Sequence, residues 1–259
     1  VFTFIEPSLT PSISNYVVNS VAVSNPYAAS GGQDGDNIEE IRKNSMGNFQ
    51  SQLRTVTQDD YLIRSLSMPP DYGALSKAHA YAETLEDLMV GEIPSVITLC
   101  VLGYDINKKL SQASPTLKQN LKTYLSQYKM INDSVKIKDA YIVNIGINFD
   151  IIVLPNYNNN FTISKCILEL KNYFNIDNWQ INQPIILKNL YVLLDKVEGV
   201  QTVKDIRINN KTGASSGYSN FAYDLDGAFI NGVVYPSLDP MIFELKYPDT
   251  DIQGRVVPL

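Results

Sequence analysis

Histidine, cysteine and tryptophan are scarce in this sequence: its 259 residues include one histidine, two cysteines and one tryptophan. A Ser-His-Asp triad or a multi-histidine metal centre would have to be built around His79 alone. His79 lies in "KAHAYAE", alternating with Ala78 and Ala80 as in a strand, and no G-x-S-x-G stretch accompanies it, so it reads as a strand histidine and not a catalytic base. Two cysteines are too few for a stapled secreted scaffold. Cys100 in "VITLCVLG" and Cys166 in "ISKCILEL" read as small buried hydrophobes in a reducing compartment. Basic residues are also short, with 21 Lys and Arg against 27 Asp and Glu, a net charge of -6 and a pI near 4.9. Phosphate binding draws on clustered cations, so a nucleic-acid partner is not expected. No apolar run approaches the roughly 20 residues of a membrane helix and no stretch reads as a signal peptide, so no membrane partner is expected either. The chain begins at Val1 with no methionine, which reads as a piece of a longer protein.

A hydrophobic content of 44% is ample for a core. The first thirty residues look extended, and "DGDNIEEIRKNSMGNFQSQ" then places Ile38, Ile41, Met46 and Phe49 at helical spacing. The "TQDD" stretch predicts a second helix, with Thr57 as cap and Asp60 completing a capping box, stopped by Pro69 and Pro70. "SKAHAYAE" and "SVITLCVLGYD" read as strands, the second apolar on both faces and so central in a sheet. Ser114 and Pro115 open an amphipathic helix with Leu117, Leu121, Tyr124, Leu125 and Tyr128 on one side. In "AYIVNIGINFDIIVLP", Tyr141, Val143, Ile145, Ile147, Phe149 and Ile151 alternate with Asn144, Gly146, Asn148 and Asp150, which predicts a strand with one core face and one wet face. Two further amphipathic helices follow, one marked by Ile163, Ile167, Leu170 and Phe174, the other by Leu187, Leu190, Tyr191 and Leu194 and ending near Gly199, before the strand-like "TVKDIRINN".

This pattern implies an α+β fold, with a two-layer unit of amphipathic helices on a mixed sheet. Composition suggests an extended and helical segment over 1–90, the two-layer domain over 91–212, and an extended, turn-rich interaction tail over 213–259. The tail opens on "KTGASSGYSN", which reads as a flexible linker.

Candidate sites do not converge on chemistry. In "SGGQDGDNIEEI" a calcium loop counted from Asp34 fails, with Ile38 at the fifth position and Ser45 at the twelfth. A phosphate cradle is opposed by Asp34, Asp36, Glu39 and Glu40. The stretch is most simply a helix start with Asp36 as cap and Glu39 closing a capping box. The acidic neighbours Asp59 with Asp60, and Asp224 with Asp226, read as helix-start and turn acids. No catalytic residue, metal or cofactor is expected. The tail aromatics Tyr218, Phe221, Tyr223, Phe229, Tyr235, Phe243 and Tyr247 lack an obvious helix or strand to belong to and read as interface residues. Sequons at Asn132, Asn160 and Asn210 carry no weight without secretion.

The run "GGQDGDNIEEIRKNSMGNFQSQLRTVTQDDY" resembles the baseplate J-like family of contractile phage tails. The resemblance rests on Gly31, Gly32, Asp34, Ile41, Arg42, Asn44, Arg54, Val56, Thr57, Asp60 and Tyr61. It departs at Ser45 and Met46, where members commonly show Ala-Pro, and at Thr55 in place of Ala. "LLDKVEGVQTVKDIRI" resembles the family's Gly-Val-x-x-Val strand start, and "VYPSLDPMIFELKYPDTDIQGRVV" is similar to the C-terminus of a baseplate wedge subunit of T-even-type phages. The resemblance implies a structural, non-enzymatic virion protein, assembled in the host cytoplasm, whose copies pair and link wedges into a ring around the hub. It implies wedge partners resembling gene products seven, fifty-three and twenty-five. The alternative is a receptor- or carbohydrate-binding tail module, with Trp179 and the tail tyrosines as its platform. Within residues 235–257, Tyr235, Leu238, Phe243 and Tyr247 are the expected apolar anchors and Arg255 the polar one, and loss of this stretch is expected to harm assembly more than folding.

Overall fold

Two long strands, each flanked by shorter ones, organise this chain. The computed structural model describes residues 54–82, 96–105, 107–131 and 133–258, with six further positions between 38 and 49. Those six are helical, as the Ile38, Ile41, Met46 and Phe49 spacing implies, and they are exposed, whereas Gly31, Gly32, Asp34, Asp36, Asn44 and Asn132 lie outside the described residues.

The first half runs α1 (Gln58–Leu66), β1 (Lys77–Ala82), β2 (Val96–Tyr104), β3 (Leu110–Gln112), α2 (Pro115–Leu125) and β4 (Ser134–Asp139). Central β2 pairs antiparallel with β1 on one side; on the other it pairs parallel with β4 over its first part and antiparallel with β3 over its last. Both faces of β2 are covered. Leu99 and Val101 pack with Tyr61 of α1 and Leu121 and Leu125 of α2, while Cys100 and Leu102 join the core of the second half. That double burial is why "VITLCVLG" is apolar throughout. α2 starts as expected: the Ser114 hydroxyl accepts from the Leu117 amide at 3.2 Å and Pro115 takes the first turn.

The second half adds β5 (Tyr141–Val153), α3 (Asn159–Tyr173), β6 (Ile185–Ile186), α4 (Leu187–Asp195), β7 (Val200–Lys211), β8 (Phe229–Ile230), β9 (Val233–Val234), β10 (Met241–Glu244), the single-turn α5 (Pro248–Asp251) and β11 (Ile252–Val256). β5 repeats the plan of β2: β7 lies antiparallel on one side, while β10 and β11 lie end to end and parallel on the other. Ile145, Ile147, Phe149 and Ile151 are buried with Cys166 and Leu170 of α3 and Leu190 and Leu194 of α4, so helices cover one face of the sheet. The fold is α+β.

Three expectations are corrected. The polar face of β5 is not wet along its length, because Asn144 is 0% exposed and is covered by Ser219 and Glu244. The stretch after β7 is no loose linker: a 3-10 turn at Ala214–Ser216 is closed by the Gly213 amide donating to the Ser219 carbonyl at 3.2 Å and the Ala214 amide donating to Asn220 Oδ1 at 3.1 Å. The turn-rich tail docks on this chain itself, supplying β10 and β11 with Met241, Ile242, Phe243, Leu245 and Ile252 in the core. Strand pairing therefore crosses both positions, 90 and 212, at which composition suggested a division.

Gly254 marks how closely β11 lies on β5. A Cβ there would fall on the ring of the buried Phe149, its partner in register. Gly254→Ala is expected to destabilise the chain by about 1–3 kcal/mol through overpacking, read as a lower urea midpoint at unchanged slope.

Candidate interaction surface

The signature segment over 54–61 turns out to be architecture. The Thr55 amide donates to the Tyr128 carbonyl at 3.0 Å, and Thr55 forms a parallel bridge with Lys129, beyond the end of α2. Thr57 accepts from the Asp60 amide at 3.1 Å while its own amide donates to Asp60 Oδ2 at 2.9 Å, completing the expected capping box. Burial pushes the Asp60 carboxyl upward, but the Thr57 and Val56 amides that donate to it hold it below its ordinary value. Tyr61 is buried and donates its hydroxyl to Asp133 Oδ2 at 2.9 Å; burial raises that hydroxyl to about 12. The Arg64 guanidinium lies 4.4 Å from the Tyr128 ring centroid. The motif clips α1 to the turn beyond α2.

Groups that could do chemistry are dispersed. His79 is half-buried, 3.4 Å from Asn182 Nδ2, and burial lowers its basicity. Asp224 caps a turn by accepting from the Gly227 amide at 3.0 Å, and the Asp226 carbonyl accepts from the Phe229 amide. Cys100 and Cys166 are buried, and burial pushes both thiols up to about 11. Among the described residues no group of three or more His, Cys, Asp or Glu side chains could hold a metal, and no helix is long and apolar enough to cross a membrane.

The five expected anchors divide. Phe243 is 2% exposed and packs edge-on to Tyr223, so it serves this chain's own core. Tyr247 is exposed at its rim but rests edge-on against Tyr218. Arg255 clamps Asp150 through two bonds, at 3.0 and 2.8 Å, opposite it in register, and these bonds hold the Asp150 carboxyl below its ordinary value, aided by Arg207 and Lys204. Of the four apolar anchors, Tyr235 and Leu238 face solvent most openly. Leu238 is fully exposed at the tip of a braced loop, where the Ser237 amide donates to Met241 Sδ at 3.1 Å and the Ser237 hydroxyl donates to the Asp239 carbonyl at 2.8 Å. Trp179, the supposed platform for a glycan, is 3% exposed and packs with Tyr173 and Phe174.

A neighbouring surface extends from Tyr235. β6, β9 and β8 form a small antiparallel sheet in which Ile185, Val234 and Phe229 share one row and Ile186, Val233 and Ile230 the next. Ile185 and Val234 are in the core, so strand alternation turns Ile186, Val233 and Ile230 outward, with Tyr235 following on the same side. Sequence reasoning passed over this row. Its signal was Asn231-Gly232 between the apolar pairs Phe229-Ile230 and Val233-Val234, which takes positive φ at both residues and makes a two-residue hairpin.

No protein-family model matches the sequence, and no curated protein matches it. A solved structure does. The chain is similar to one in the cryo-EM structure of the anti-feeding prophage baseplate, six-fold symmetrised, with a TM-score of 0.50 and 11% identity. The match covers 83% of this chain and 43% of that one, so this chain spans less than half the length of the chain it resembles. At that identity the likeness is one of fold.

If residues 54–61 are architectural, Thr57→Ala should cost about 1 kcal/mol of stability from the lost cap. A thermal melt at fixed ionic strength checks this, and the variant's molar mass in solution should match that of the parent.

Proposed function

We propose that this chain is a structural, non-enzymatic subunit of a contractile-tail baseplate, carried in the virion tail. The observation that carries the reading is the likeness of fold, over 83% of the chain, to a chain of a contractile-tail-like baseplate. The sequence resemblance of the run from Gly31 to Tyr61 to the baseplate J-like family supports it as well, and within that run Thr55, Thr57 and Tyr61 brace the chain internally. At finer grain, the subunit is a wedge protein resembling the C-terminal part of gene product six of T-even-type phages. Copies pair and join wedges into a ring around the hub, alongside partners resembling gene products seven, fifty-three and twenty-five, in particles assembled in the host cytoplasm. During infection the subunit rotates about its interfaces while keeping its own fold.

The surface assigned to self-association or wedge contact is the exposed side of the hairpin and its loop, with Tyr235 and Leu238 as apolar anchors. Aromatic and aliphatic side chains held out on a braced backbone lose little further freedom when a partner covers them.

Light scattering tests the pairing. The parent chain is expected to be a dimer, and Tyr235→Ser combined with Leu238→Asp to give a monomer with an unchanged melting temperature. A parent that stays monomeric at high concentration, or a double variant that stays dimeric, contradicts this surface.

A further inference from the structure

The tip of the β8–β9 hairpin carries a reactive pair. Asn231-Gly232 is the only Asn-Gly pair in the sequence, and it forms the whole turn between the two strands. Asn231 is exposed, with a φ of 53°, and Gly232 follows with a φ of 82°. Nothing lies within 4 Å of the place that a Cβ on Gly232 would take. Among the described residues no hydrogen bond engages the Asn231 side chain or the Gly232 N–H. The hairpin is tied down elsewhere: the Gly232 carbonyl accepts from the Leu187 amide at 2.9 Å, and the Tyr235 amide donates to the Ala228 carbonyl at 3.1 Å.

That combination favours one reaction. Glycine has no Cβ to keep its backbone nitrogen away from the preceding side chain, so the Gly232 nitrogen reaches Asn231 Cγ when the turn flexes. Little pairing has to open, because only Phe229 with Val234 and Ile230 with Val233 are in register across the two strands. The adjoining turn supplies a contrast. Asp226-Gly227 has the same missing Cβ, but the Gly227 N–H donates to Asp224 Oδ1 at 3.0 Å and the Asp226 carbonyl accepts from the Phe229 amide at 3.3 Å. There the attacking nitrogen is engaged and the backbone is held.

We propose that Asn231 is a site of self-modification, whose side chain converts from amide to acid and resets the hairpin as it does so. The Gly232 nitrogen attacks Asn231 Cγ; the new N–Cγ bond closes a succinimide ring, the Cγ–Nδ2 bond breaks, and ammonia leaves with the proton that the Gly232 nitrogen gives up. Water then opens the ring. Addition at Cγ restores the normal backbone with aspartate in place of asparagine, whereas addition at the Asn231 backbone carbonyl leaves the chain running through the side chain as isoaspartate, one backbone carbon longer. A two-residue turn has no room for that added atom, so the isoaspartyl form parts β8 from β9 and disperses the row of Ile186, Val233 and Ile230. The proposal concerns the chain before any partner covers the hairpin, and it holds whether or not that row is used in assembly.

Peptide mapping of the intact chain after incubation in mildly alkaline buffer tests this, beside a synthetic peptide of residues 227–236. Asn231 of the folded chain is expected to convert within about tenfold of its rate in the peptide, as a tip at the low-stability end of the fold should. It should also convert before the other asparagines of the second half, with isoaspartate among the products. Protection of the Leu187 and Tyr235 amides against hydrogen exchange should fall in the isoaspartyl chain and persist in equally aged Asn231→Gly, which keeps the turn and lacks the reactive amide. A larger slowing relative to the peptide, or earlier conversion of another asparagine of the second half, overturns the proposal. So does protection kept in the isoaspartyl chain, or lost to the same degree in aged Asn231→Gly.

Discussion

The larger sheet of the second half of this chain hangs on β5. Its 13 residues bond β7 on one side and both β10 and β11 on the other, so three segments remote in sequence converge on it. One face supplies the row from Ile145 to Ile151 against α3 and α4. The other buries Asn144, a polar side chain that is tolerable in such a place only because both of its polar atoms are bonded. Stripped of Glu244 and Ser219, that position would be a buried amide without partners, at a cost of roughly 1–3 kcal/mol.

How much of this was legible in the sequence follows the range of the interactions. Capping at Thr57 and Ser114, the stripe of α2, and the double-faced apolar run of β2 are local patterns, and each is found in place. The polar face of β5 misled for a physical reason. Alternation shows that Asn144 faces away from the helices, but cannot show that Glu244, a hundred positions on, covers it. The tail misled for the same reason: "MIFE" and "IQGRV" are short, and parallel pairing with a strand so far away leaves no periodic mark in four or five residues. The hairpin at Asn231 and Gly232 is a local signal, legible from an Asn-Gly pair flanked by short apolar strands.

For the candidate surface, docking of the tail redraws what is on offer. Phe243 and Trp179 belong to the core, whereas Leu238, Tyr235 and the row of Ile186, Val233 and Ile230 stand out from it. A scaffold subunit of the kind proposed would use that division, with a core stiff enough to move as a body and apolar residues held outside it on braced turns. The likeness of fold to a baseplate chain concerns the body, and the wedge and ring contacts proposed above concern the turns.

The C-terminal segment completes the fold of its own chain and is not an appended arm. Ending the chain after Pro240 and following urea unfolding by circular dichroism puts this to the test. Without β10 and β11, the core loses Met241, Ile242, Phe243, Leu245 and Ile252, each contributing about 1.5–3 kcal/mol by burial. The account predicts that the truncated chain loses the cooperative transition of the second sheet altogether. A truncated chain that unfolds cooperatively at the parent's midpoint would contradict it and return the tail to the role of an interaction arm.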